Sequence, residues 1–302
     1  MIEEFIQWYE NINKARAKDY YAPHKPITIL YALVKAANDV RWIEFNKDRE
    51  KLESIISEFT KYSTRPNCLQ PLWRLTNDSK TMPFWTTQPS NIVLNSKGDI
   101  PTGSAKENNF KAGFSDEVYN KLKENKAHIH ALIRYITEDN FPGSLHETLW
   151  ELLGVFDLEV QAPPQETITT TVTKVKRDPK FPKLILSLYG NQCACCGLKI
   201  NFKNNTALSM EAAHIKWKAR GGDCNEHNGL ALCPTHHYTF DRGIWTLNSD
   251  YRIELSDSIL INRKNDNFFT PYIGESIGRF ILNEELLPSV GNIEWHRKNI
   301  LK

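Results

Sequence analysis

Five of the six cysteines in this 302-residue chain fall between positions 193 and 233, and that clustering constrains the fold more than any other feature. Cys193-Ala-Cys195-Cys196 and Cys233-Pro-Thr-His236 each present two soft or imidazole donors across a tight turn. This is the spacing of a tetrahedral zinc knuckle, so Cys193, Cys196, Cys233 and His236 are expected to hold a structural Zn2+. Three thiolates and an imidazole leave no open position for substrate. The metal would supply folding free energy to a segment too small to build much core alone. Cys195 and Cys224 have no partner at knuckle spacing and read as bystanders. Grouped cysteines of this kind fit a reducing compartment, where they bind metal rather than pair as disulfides. No run of 18 apolar residues occurs, and the N-terminus is acidic and amphipathic, unlike a signal peptide. The expected location is therefore the cytoplasm, away from any membrane.

A chain of this length is expected to divide into two domains. Residues 160–177 are rich in Thr, Pro and Gln without apolar periodicity, the composition of a linker, which leaves bodies over 1–159 and 178–302. In the first, FIQWYENI, PITILYALVKAANDV, the stretch from Lys51 to Tyr62, FSDEVYNKLKENKAHIHALIRYI and GSLHETLWELLGV have helical spacing. Pro26 sits where a first turn tolerates it, Ser115 is a candidate N-cap, and Ser144 with Glu147 has the spacing of a capping box. The Pro-punctuated, aromatic segment between, including QPLWRLTND, reads as short strands and loops, with Trp73, Trp85 and Trp150 assigned to the core. The first body is thus mixed α and β. In the second, KFPKLILSLYG forms an apolar helix face leading into the first knuckle, and the last fifty residues complete the domain, with His296 on its surface. The formal net charge of +2 confines any nucleic-acid binding to a local basic surface.

Between and after the knuckles stand MEAAHI, NGLALC and HHYTFDRG, and over about 55 residues these resemble the HNH endonucleases. The resemblance implies a ββα-metal fold: His214 on the first strand of a hairpin, Asn228 at the return strand, and His237 on a helix, packed round one divalent cation. Hydrolysing a phosphodiester requires an activated water and charge neutralisation at the phosphate and the leaving 3′ oxygen. His214 is then the general base, Asn228 pins the loop that aims it, and His237 binds Mg2+ or Mn2+. Many family members carry an acidic ligand immediately before the base, where this chain has Ala213. The second ligand of the catalytic metal must come from Glu211 or Asp241, with Asp241 slightly favoured for its place one helical turn after His237. Lys216, Lys218 and Arg220 are candidates for holding the duplex backbone, and His227 reads as a loop histidine.

The segments APHKPITILYAL, QPLWRLTND and NFPGSLHETLWELLGV resemble the sulfur-recognition domain that precedes HNH modules in modification-dependent restriction endonucleases. The fold class expected is α+β, a mixed α/β DNA-recognition domain joined to a ββα-metal domain with a zinc knuckle. The partner implied is double-stranded, phosphorothioated DNA. Sulfur in place of a non-bridging oxygen is larger, more polarizable and cheaper to desolvate, so a dry apolar cup would prefer it. The resemblance points to Phe141, Pro142 and Leu145 as the cup, and His24, Lys25 and Arg74 are candidates for flanking phosphate contacts. Two alternatives remain open: an HNH nuclease reading another mark such as a methylated base, which needs a flipped-base pocket, and a non-catalytic zinc-dependent DNA-binding protein. One HNH centre cuts one strand, so a double-strand break requires either a homodimer or sequential nicks.

Overall fold

The computed structural model describes residues 1–13, 22–61, 66–80, 82–155, 180–201, 203, 207–208, 210–262 and 266–302. The linker expected over 160–177 lies outside the described residues. The chain forms two compact bodies, and the second gathers the turn Phe141–Leu145 with the described residues from Lys180 to Lys302. No helix among the described residues is long and apolar enough to cross a membrane.

The first body is organised round α2 (His24–Ala37), whose sequence is apolar on almost every face. Such a helix must be covered all round. Ile27, Ile29, Leu30 and Leu33 are fully buried, and α7 (Lys126–Asn140) makes its most extensive contact. Pro26 occupies the first turn of α2, as its fixed φ and missing N–H allow. A small antiparallel sheet has β3 (Lys111–Phe114) between β1 (Trp42–Glu44) and β2 (Trp85–Gln88), with Trp42 opposite Gly113 and Trp85 opposite Phe114. On α1 (Ile2–Asn11), Trp8 stacks on Phe84 at 5.3 Å and Phe5 packs edge-on against both. The layer is thus sealed by aromatic rings.

Four local expectations differ from what forms. QPLWR lies within a short helix, α4 (Leu69–Arg74), because Pro71 stands early enough for the first turn to accept it. Ser115 does precede α6 (Asp116–Glu124), but its hydroxyl makes no cap bond. Ser144 lies in a 3-10 turn, Gly143–Leu145, and α8 (His146–Leu153) starts one residue later than the capping-box spacing implies. Trp85 is core, whereas Trp73 and Trp150 are only half-buried, with indole N–H groups donating to Gly98 O and Thr137 Oγ1.

In the second body, the hairpin β6 (Glu211–His214) and β7 (Gly229–Leu232) pairs His214 with Gly229 and Glu211 with Leu232. The apolar face expected in KFPKLILSLYG is α9 (Lys180–Leu188), laid across this hairpin through Phe181 and Ile185. Gly229 is required here, since a Cβ would stand 2.4 Å from Ile185 Cδ1. Helix α10 (Pro234–Asp241) follows β7 with Pro234 at its first position, and β8 (Trp245–Leu247) pairs β9 (Ile253–Leu255). Helix α11 (Val290–Asn299), capped by Ser289, closes the core with Ile293. His296 belongs to that core and not to the surface: it is 0% exposed, stacks on Phe240 at 3.8 Å, and bonds Thr246 Oγ1 and Phe240 O. A histidine that satisfies both ring nitrogens internally can be buried at little cost.

Candidate nuclease centre and zinc site

The two knuckles converge. One ligand atom from each of Cys193, Cys196, Cys233 and His236 lies within 4.8 Å of all the others, and among the described residues no other group of three or more donors does so. His236 Nδ1 stands 3.1 Å from Cys233 Sγ and 3.7 Å from Cys193 Sγ, while its Nε2 is 2.8 Å from Phe268 O. An Nε2–H donated to that carbonyl leaves Nδ1 bare and aimed at the sulfurs, the outer-shell arrangement a zinc-binding histidine needs. Gly197, at φ +73°, lets the chain reverse after Cys196, and its N–H donates to Cys193 O at 2.8 Å. A side chain there would strike the Phe280 ring. The donor set, spacing and fixed tautomer all fit Zn2+.

The ββα unit brings the other predicted residues together. Asn228, 0% exposed, accepts from Lys216 N–H at 2.8 Å and donates through Nδ2 to Lys216 O and Asp223 O, each at 2.9 Å. One amide therefore clasps both ends of the loop that follows His214. Gly222 completes the clasp, because a Cβ there would lie 1.8 Å from Lys216 O. His214 lies at the end of β6 with its ring stacked on Phe181 at 3.9 Å and its Nε2 3.4 Å from Cys224 Sγ. Cys224, a bystander by its spacing, is one only towards the zinc. Nothing in that spacing ties it to His214, because the loop reversal that joins them depends on Gly222 and Asn228.

His237 projects from α10 between two carboxylates, Nδ1 at 2.6 Å from Glu211 Oε2 and Nε2 at 3.1 Å from Asp241 Oδ2. Burial alone would lower its pKa, but Asp241 and Glu211 outweigh this and push it up to about 10. The hydrogen bond from His237 in turn holds Glu211 below the usual carboxylate range, against the opposing effect of burial. The two acids are not equivalent. The Asp241 side chain is 1% exposed and also accepts from Trp217 Nε1 at 3.2 Å and from the Ser144 hydroxyl. The Glu211 side chain is half exposed. Asp241 thus orients the imidazole, and Glu211 is the acid with a side open toward solvent. His227, as expected of a loop histidine, bonds Leu287 O through Nδ1 at 3.0 Å.

The residues singled out for sulfur and phosphate contacts are less open than expected. Phe141 and Leu145 are 2% and 1% exposed, and Pro142 is half-buried. Lys25 pairs with Asp78 at 2.5 Å, and Arg74 bonds both oxygens of Asp99 at 3.0 and 3.1 Å, so both cations already have anionic partners within the fold. His24, first residue of α2, has its pKa lowered by burial. Their charges read from sequence as free for phosphate, since ion pairs spanning 53 and 25 positions leave no local signature.

Residues 2–158 match the family described as ScoMcrA-like, DNA sulfur-binding domain. The chain belongs to that family. Residues 193–248 match the HNH endonuclease family and contain the knuckles and His214, Asn228 and His237. No curated protein matches the chain. Among solved structures, it is 19% identical to the sulfur binding domain of ScoMcrA complexed with phosphorothioated DNA, at a TM-score of 0.44, covering 51% of this chain and 97% of that one. The type IV phosphorothioation-dependent restriction endonuclease ScoMcrA gives 19% identity and a TM-score of 0.43, over 53% of this chain and 35% of that one. The modification-dependent TagI restriction endonuclease gives 22% and 0.32, over 41% and 39%. This member of the sulfur-binding family therefore spans about a third of ScoMcrA, and it carries its HNH endonuclease domain on the same chain.

Proposed function

We propose that this chain is a modification-dependent restriction endonuclease whose N-terminal domain finds phosphorothioated DNA and whose HNH domain hydrolyses phosphodiester bonds near the mark. The observation that carries the reading is the ββα centre, in which Asn228 clasps the loop after His214 while His237 sits between two acids, on a chain of the sulfur-binding family. In the reaction, a water proton passes to the neutral imidazole of His214, the water oxygen bonds to phosphorus, and the bond to the 3′ oxygen breaks. Phe181 keeps the ring of His214 flat against α9 so that its nitrogens lie in a fixed plane.

His237 Nδ1 and Glu211 would hold the catalytic Mg2+ or Mn2+, a hard cation suited to an imidazole and a carboxylate. Bound there, the ion supplies charge neutralisation at the phosphate and the leaving oxygen. Asp241 keeps His237 aimed from behind. Cys193, Cys196, Cys233 and His236 would hold Zn2+, which fixes the start of α10 and takes no part in bond breaking. Lys216, Lys218 and Arg220, in and beside the loop that Asn228 clasps, would hold the duplex backbone.

For the mark itself, Pro142 offers an accessible apolar edge backed by the dry side chains of Phe141 and Leu145, which suits sulfur better than oxygen. Of the candidate phosphate contacts His24, Lys25 and Arg74, the last two would reach a phosphate only by exchanging Asp78 and Asp99. The domains proposed are 1–159 for recognition and 178–302 for cutting, joined by 160–177.

The test compares Mn2+-supported cleavage of two identical duplexes, one carrying a site-specific Rp phosphorothioate, by wild type and His214→Ala. Cleavage of the sulfur-bearing duplex alone, lost in the variant, is the expected result. Equal cutting of both duplexes keeps the nuclease and removes the sulfur reading. Zinc-replete protein that binds but never cuts would make it a DNA-binding protein.

A further inference from the structure

We propose that Cys224 is a positioning residue for the nuclease, its sulfur holding and tuning His214; the inference rests on the reading of His214 as general base. The geometry is specific. Cys224 Sγ lies 3.4 Å from His214 Nε2, while the face of the same ring is covered by Phe181 at 3.9 Å and 14°. The imidazole is held on its face by α9 and at its edge by the loop.

Cys224 is itself held on both sides. Asp223 O, immediately before it, accepts from Asn228 Nδ2 at 2.9 Å, and Asn225, immediately after it, accepts through Oδ1 from His227 N–H at 3.1 Å. The thiol is therefore fixed by the same amide clasp that shapes the loop. It lies outside the zinc set, which is complete without it. Of the elements packed on β6, β7 offers no titratable side chain, α9 presents the uncharged Phe181, and α10 carries His237 and Asp241, with His237 paired to Asp241 and to Glu211 of β6; Glu226 and His227 follow Cys224 in the next turn.

A thiol is a weak donor and a weak acceptor. Beside Nε2 its sulfur biases which ring nitrogen carries the proton, and it accepts from the imidazolium formed once His214 has taken the proton from water. Removing it loosens the ring and weakens the charged form, which lowers the pKa of His214.

The experiment measures cleavage of the phosphorothioated duplex from pH 5 to 9 by wild type, Cys224→Ala, Cys224→Ser and His214→Ala, with zinc content checked, and follows the His214 ring protons by NMR titration. Cys224→Ala is expected to lower kcat about fivefold with KM unchanged, to move the acid limb of the pH profile and the NMR pKa to lower pH, and to keep its zinc. Cys224→Ser, which restores a small donor and acceptor, should recover most of both effects; if the alanine variant does not fold, the direction of the serine variant's NMR shift decides. A Cys224→Ala enzyme with wild-type kcat and an unmoved His214 titration overturns the inference. Should His214→Ala still cut like wild type, it is the general-base reading that falls.

Discussion

Asn228→Asp is the most economical probe of the centre, because it changes two hydrogen-bond donors and almost no volume. The new carboxylate keeps the acceptor for Lys216 N–H but turns an anionic oxygen toward Lys216 O and Asp223 O, which in the wild type receive Nδ2–H bonds at 2.9 Å. Each lost bond contributes about 1 kcal/mol, and leaving a buried acceptor without its donor costs about 1–3 kcal/mol more. The site is fully buried, so the expected loss is about 3–5 kcal/mol at pH 8. Protonation would restore one donor, so the folded-state pKa of the introduced carboxyl must lie above its unfolded value. A raised folded pKa means that the protonated form is favoured by folding, so the deficit against wild type is smallest below about pH 4, where one of the two bonds is restored, and full once pH has risen through the folded pKa. Urea unfolding reported by Trp217, Trp245 and Trp295 at pH 5 and pH 8, with wild type alongside, measures both quantities. A deficit under about 0.5 kcal/mol, or one that does not change with pH, would refute the clasp as the organiser of the loop.

Other consequences separate the roles within the second body. Gly222→Ala puts a Cβ 1.8 Å from Lys216 O, so it should abolish cleavage by displacing the loop, seen as new amide shifts around residues 214–228 in an NMR spectrum. Glu211→Gln should weaken Mn2+ binding by about tenfold or more in a calorimetric titration, whereas Asp241→Asn should chiefly lower kcat, and the reverse pattern would make Asp241 the ligand. Burial lowers the pKa of His296 from 6.5 to about 4. Its neutral form is favoured by folding, so stability is full above pH 6.5 and falls by up to about 3 kcal/mol as pH drops toward 4; His296→Gln should flatten that slope in urea melts. Cys196→Ser should abolish the one equivalent of zinc found by elemental analysis and unfold the second body while the far-UV signal of the first persists.

What is legible in the sequence follows the range of the interactions involved. That the knuckles converge and that His214, Asn228 and His237 share one ββα unit can be read because these residues are tied to short spacings on a hairpin and one helix turn. The α2 helix can be read because its apolar residues cover every face. The choice between Glu211 and Asp241 cannot. It depends on Trp217 reaching Asp241 across 24 positions, which buries that acid and leaves Glu211 half exposed. His296 has the look of a surface residue for a similar reason, since Phe240 and Thr246, which satisfy it, stand 56 and 50 positions away. The helix at Leu69–Arg74 is hidden because two prolines in one segment suggest loops, although Pro71 falls where a helix tolerates it.

Helix α10 joins the knuckle and the proposed catalytic centre through adjacent residues, His236 facing the knuckle cysteines and His237 facing the acids. Consecutive side chains on a helix diverge by roughly 100°, so a single eight-residue helix can serve both sites only if its rotation about its own axis is fixed. Three contacts fix it. Cys193 and Cys196 converge on Cys233 and His236 at its start, Trp245 Nε1 donates to His236 O at 3.1 Å, and Asp241 at its end is held by Trp217. A turn of the helix by even a fraction of a residue would draw His237 from Glu211 while leaving the cysteines near one another. On the proposed reading, zinc held there would act on cleavage indirectly, by setting the angle at which His237 meets its acid. A zinc-free but folded variant would be expected to lose affinity for Mn2+ before it loses His214.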